Sequence, residues 1–292
     1  MRGPVRVLGL DFSGSAAQWA RRTTSNVWLA ELRGRASRPR LARLLPVQRL
    51  PGEGAPWERL VALLRAGDFD CCGIDAPLAF PRAVWRGTRA ELLRRVAALP
   101  CPGQPFPRGA DLVLAVAGQP PPLVPPKPLR ACEVPWRSRG VNVRSSLWDG
   151  ARGGAALTAA CLALAVRCGR PAWPYDGATP GCLAEAFPTA QLRAWELPHQ
   201  RYDGAAGAPV RAAIVEALHG RVELGTHAAA ALASADALDA VLAAVCATAV
   251  VDGQLHDPLP ADSGEEGEEG WIAVRAPARP EAAPPARAPG DR

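Results

Sequence analysis

At 292 residues, with 48% hydrophobic and 21% charged residues, the chain has the balance of a globular protein and the length of one large domain or two modest ones. Its net charge of +6 is unevenly spread, with 23 Lys and Arg against 11 Asp and Glu in residues 1–150 and 11 against 17 in the remainder. A basic front half suits a polyanionic partner, although the arginine excess also follows a bias toward Ala, Arg, Pro and Gly in which Lys127 is the only lysine. Eight cysteines without a CxxC pair, beside only four histidines, exclude a standard zinc-binding pattern. No leader pattern precedes VRVLGLD, and the apolar stretch 228–251 carries Asp236 and Asp239, which makes it a poor membrane span. The expectation is a soluble, reduced, cytoplasmic protein.

Taken in chain order, residues 5–11 read as a buried strand closing on Asp11 and an FSGS turn. Asn26–Leu32 and Leu41–Leu50 read as two further strands joined by short connections, hence an antiparallel meander. Trp57–Arg65 has helical spacing, with Leu60, Val61, Leu63 and Leu64 on one face. Asp70–Ile74 reads as a strand closing on Asp75 before Pro77, and Arg89–Leu99 as a helix stopped by Pro100. Residues 100–150, rich in Pro, Arg and Trp, read as an irregular insertion. Beyond it, Ala151–Arg167 reads as helix, Cys182–Phe187 as a strand bearing Glu185, and Val210–Leu218 and Ala228–Val251 as helices. A short WIAV strand at 271–274 is followed by a Pro-, Ala- and Arg-rich tail, 276–292, expected to be disordered. Strands that meander and then alternate with helices predict an α/β fold, a mixed sheet flanked by helices, in one domain spanning 1–275.

The chemistry lies in the carboxylates. Hydrolysis of a phosphodiester on two divalent ions needs several carboxylates converging on hard cations. Asp11 and Asp75 each end an apolar strand, where an unpartnered carboxylate is costly to bury. The plainer reading of each is a turn residue bonded to the following amides. Glu185 sits among apolar residues in CLAEAFP. Asp236 and Asp239 share one face of an otherwise apolar helix, as positions three apart do.

The segments LGLDFSGS, GIDAPLAFP, AEAFPTA, ADALDAVLAAVCATA and EEGWIAV, in this order, resemble the blocks of domain of unknown function 429, regarded as predicted nucleases of the RNase-H-like superfamily. The resemblance spans roughly residues 5 to 274 and implies an RNase-H-like mixed sheet, antiparallel in its first three strands and then parallel. It implies metal-binding carboxylates at Asp11, Asp75, Glu185 and Asp236. The last helical block also resembles the closing helix of Holliday-junction resolvases, with Asp239 one turn beyond Asp236. The family's mid-chain Arg-x-x-acid stretch is matched by Arg130 and Glu133 in LRACE.

The resulting expectation is a nuclease using two Mg²⁺ or Mn²⁺ ions. Asp11, Asp75, Asp236 and Asp239 would hold metal, and Glu185 would orient or deprotonate water. Arg130, Arg137, Arg139 and Arg144 would hold nucleic-acid phosphates. Trp136 or Trp148 would stack on a base or anchor its loop. Two rivals share the residues: a non-catalytic nucleic-acid-binding protein, which has no need of four acids, and an ATP-dependent phosphotransferase of the sugar-kinase type, for which LGLDFSGS would be the phosphate turn. A Ser-His-Asp hydrolase is disfavoured because no G-x-S-x-G elbow is present.

Overall fold

A computed structural model of the protein describes residues 5–34, 38–119, 128–149, 153–257 and 268–277. Its elements in order are β1 (Arg6–Asp11), α1 (Ala16–Trp19), β2 (Trp28–Arg33), β3 (Arg40–Pro46), α2 (Pro56–Ala66), β4 (Cys71–Ile74), α3 (Arg89–Ala97), α4 (Gly109–Ala117), α5 (Val134–Ser138), α6 (Gly154–Cys168), β5 (Cys182–Ala186), α7 (Pro188–Ala194), α8 (Ala208–Leu218), α9 (Ala228–Ala233), α10 (Ala235–Asp252) and β6 (Ile272–Ala273). The tail beyond 277, expected to be disordered, lies outside the described residues.

The strands form one sheet in the order β3-β2-β1-β4-β5-β6. β1 pairs antiparallel with β2, and β2 with β3, while β4, β5 and β6 follow in parallel. This is the mixed sheet expected from the sequence, antiparallel in its first three strands and then parallel. β1 is buried on both faces, which is why VRVLGLD reads as an apolar run and not as an alternation. On one face Leu8, Leu10, Cys72 and Ile74 pack against α2, α3, α4 and α6. On the other, Val7, Ala30, Cys71 and Ala184 meet α8, α9 and α10.

The closest packing is between α10 and the sheet centre. Gly9 and Gly73 stand side by side in register. A Cβ on Gly9 would come within 2.1 Å of the Ala244 nitrogen, and one on Gly73 within 2.2 Å of the Ala243 carbonyl oxygen. Two neighbouring glycines therefore let an alanine-faced helix lie directly on the strands. Gly9→Ala has nowhere to place its methyl without lifting α10, so we expect it to cost about 3 kcal/mol or more in urea unfolding. A loss below about 0.5 kcal/mol would show that the helix gives way freely.

Two expectations are corrected. The 100–150 stretch is not merely irregular. α4 buries Leu112, Val113 and Val116 in the main core, and α5 buries Trp136. α4 has no side-chain cap at Arg108 and is flanked by prolines, so its start signals are missing. The helix expected over 228–251 is two helices, because Ser234 is extended (φ −132°, ψ 128°) and its hydroxyl accepts from the Ala237 amide at the start of α10.

Candidate metal centre

Asp11 is the last residue of β1, and Asp75 directly follows β4. The parallel register Leu10↔Ile74 carries on past the strand ends, where the Asp75 amide donates to the Leu10 carbonyl at 2.9 Å. The two aspartates thus occupy one rim of the sheet. The first two turns of α10 bring Asp236 and Asp239 to the same place, because the glycine contact presses that helix onto β1 and β4.

The electrostatics follow from this crowding. Burial, and then the charges of Asp239, Asp75 and Asp236, hold the Asp11 carboxyl well above its ordinary range, against a bond from the Phe12 amide. Burial chiefly, with Glu185 adding, pushes Asp75 up to about 7, and Arg144 opposes the rise. Asp239 is raised by burial and by Asp75, with Asp236 and Asp203 adding. Tyr202 relieves it, its hydroxyl donating to Oδ1 at 2.8 Å. Asp236 is raised by burial and by the exposed Asp203.

Glu185 belongs elsewhere. It is in register with Ile74, whose side chain lies in the core on the α6 face. Side chains paired in register share a face, so Glu185 points away from α10 and from Asp239. There both its oxygens are taken by the Arg130 guanidinium, at 2.5 Å and 2.6 Å, and Oε2 also accepts from the Leu78 amide at 3.1 Å. Burial raises its pKa, and Arg130 opposes the rise. The roles foreseen for this pair change accordingly. Arg130 is fully buried and also bonded to Glu133, so it has no face for a phosphate, and Glu185 is committed to an ion pair and a loop amide.

The other arginines separate. Arg144 is exposed and its charge reaches Asp75. Arg139 is half-buried, forks onto Asp257 at 2.5 Å and 3.0 Å, and stacks on Trp136 at 4.5 Å. Arg137 is exposed on α5. Trp136 is a core residue at 2% exposure, whereas Trp148 is 46% exposed. Tyr202 and Asp203 were not foreseen. Their only signal is the YDG turn, which names a bend and says nothing of what it faces.

Among the described residues, no three acid, imidazole or thiol groups are gathered closely enough to hold one ion as they stand. The donor set nevertheless fits a divalent cation in its chemistry. It is all oxygen, as Mg²⁺ and Mn²⁺ prefer, and its burial and mutual repulsion are what a bound cation relieves.

Fold and site together define a mixed-sheet α/β protein with a rim of aspartates at the ends of its central parallel strands. The chain belongs to the family described as protein of unknown function (DUF429), whose model matches residues 24–264. That span contains Asp75, Glu185, Asp236 and Asp239, and Asp11 precedes it. No curated protein and no solved structure matches the chain.

Proposed function

We propose that the protein is a metal-dependent nuclease that hydrolyses phosphodiester bonds of nucleic acid at the aspartate rim. The observation that carries this reading is the crowding of Asp11, which is buried, with Asp75 and Asp239, which are half-buried, three acids opposed by the Phe12 amide, Arg144 and a tyrosine hydroxyl. A protein that only binds nucleic acid gains nothing from such a set. Asp11, Asp75, Asp236 and Asp239 would hold Mg²⁺ or Mn²⁺. The bound metal supplies a more acidic water and neutralises charge on the phosphoryl oxygens. Arg144 meets the scissile phosphate, and the flanking backbone charge falls to the basic front half of the chain.

No helix among the described residues is long and apolar enough to cross a membrane. All eight cysteines are unpaired, which accords with a reducing compartment, and we place the protein in the cytoplasm.

The test is cleavage of labelled single-stranded, duplex and junction substrates in Mg²⁺ or Mn²⁺ by wild type and Asp11→Asn. Metal-dependent cutting, reduced at least a hundredfold in the variant, is the expected result. Oligonucleotide binding with no cutting by either protein would favour the non-catalytic rival.

A further inference from the structure

Arg211, on α8, is 4% exposed, yet among the described residues no carboxylate pairs with it. Its guanidinium is spent on three backbone carbonyls instead. Nε donates to Leu232 at 2.8 Å, and Nη1 to Tyr202 at 2.5 Å and to Gly204 at 2.7 Å. Burying a cation for main-chain oxygens alone is an expensive way to hold a loop, so the segments it joins are informative. Leu232 is next to last in α9, just before the Ser234 break that starts α10. Tyr202 and Gly204 bracket the turn that carries Asp203. The same turn is under further constraint. Arg201 holds a left-handed backbone (φ 57°), and a Cβ on Gly207 would come within 2.3 Å of the Tyr202 carbonyl carbon. The Tyr202 phenol carried by this turn donates to Asp239 at 2.8 Å and lies 3.5 Å from the Thr189 hydroxyl.

We propose that Arg211 is a positioning residue of the aspartate site, acting through Tyr202 to fix the orientation of Asp239. The inference rests on the metal-binding reading above. Tyr202 stands to Asp239 as outer partners stand to metal ligands generally: they orient the ligand without touching the ion. Arg211 lies one step further out and sets the backbone from which Tyr202 projects. The planar fork reaches three carbonyls on two segments from two separate nitrogens, a span that a lysine's single nitrogen lacks.

The experiment uses the full chain and two readouts. Mn²⁺ affinity is measured by electron paramagnetic resonance for wild type, Tyr202→Phe, Arg211→Met, Arg211→Lys and the Tyr202→Phe/Arg211→Met double variant. The expected result is about tenfold weaker binding in each single variant and no further loss in the double variant. In parallel, 3-fluorotyrosine labelling gives two fluorine signals, because Tyr175 and Tyr202 are the only tyrosines. In metal-free Arg211→Met the Tyr202 signal is expected to move toward the free amino acid while the Tyr175 signal stays. A folded Arg211→Met with wild-type Mn²⁺ affinity or an unmoved Tyr202 signal overturns the proposal. Full affinity in Arg211→Lys overturns it as well, since charge and not the fork would then suffice. Wild-type protein that binds no Mn²⁺ overturns the metal reading instead, and the fluorine signal in metal-free protein then decides on its own whether Arg211 places Tyr202.

Discussion

Metal-free Asp75→Asn is expected to melt about 5 °C or more above the wild type at pH 8, with the gain shrinking toward zero near pH 4. The sign follows from linkage. Asp75 holds its proton up to about 7 in the fold and releases it near the ordinary value of 3.8 when unfolded. A carboxyl raised in the native state stabilises it only while protonated, so stability is lost as pH climbs from about 4 to about 7 and stays lost above that. At about 1.4 kcal/mol per unit the full loss is about 4 kcal/mol, less whatever solvent screens at this half-buried position. Asparagine keeps the shape of the neutral acid and removes the repulsion it feels from Glu185 and exerts on Asp11 and Asp239. Millimolar Mg²⁺ should reverse the order, because only the wild type then gains the stabilisation that comes from a ligand bound to the native state. Melting curves from pH 4 to pH 9, with EDTA and with Mg²⁺, check both halves. A variant less stable than wild type in EDTA at pH 8 would mean that the rim is not repulsive.

Arg130→Met is expected to be the most damaging single change near the site, costing about 3–5 kcal/mol, and for a reason unrelated to chemistry. The guanidinium neutralises Glu185 and Glu133 where all three side chains are buried, and its removal strands two carboxylates. Around this pair the chain is stitched together. Glu185 receives the Leu78 amide, and Glu269 accepts from the amides of Arg82 and Ala131 at 2.5 Å each. The loop running from Asp75 to Arg82 is therefore held from beneath the sheet. Glu185→Gln separates the two roles this residue could have. A metal ligand or base would lose activity with stability intact. The geometry predicts a lower melting temperature in EDTA, with metal-induced stabilisation retained by the folded fraction. Unchanged stability with abolished metal response would return Glu185 to the site.

The sequence makes the strand-closing aspartates legible because an acid at the end of an apolar run has few inexpensive explanations. Asp236 and Asp239 are legible because helical spacing is local. The face Glu185 takes is not legible for a physical reason: it depends on register with a neighbour 111 positions away, Glu185 against Ile74. The burial of Arg130 is hidden similarly, since a charge count cannot distinguish an exposed guanidinium from one enclosed by two glutamates. α4 is hidden by missing cap signals, and the Ser234 break by an alanine run that reads as continuous helix. Tyr202, Asp203 and Arg211 are visible only once the turn, α8 and the end of α9 are brought together in space.

The glycine pair under α10 also fixes when the rim can come apart. Because Gly9 and Gly73 seat that helix against the backbone of β1 and β4, no layer of flexible side chains lies between them to absorb small motions. Helix and strands must separate together or not at all, which makes them one cooperative unit. Amide exchange should then be slowest in β1, β4 and the body of α10, at rates set by global unfolding. The carboxylates would lose their arrangement only when the whole molecule does, while the edge strands and the outer helices open and close many times around an intact centre.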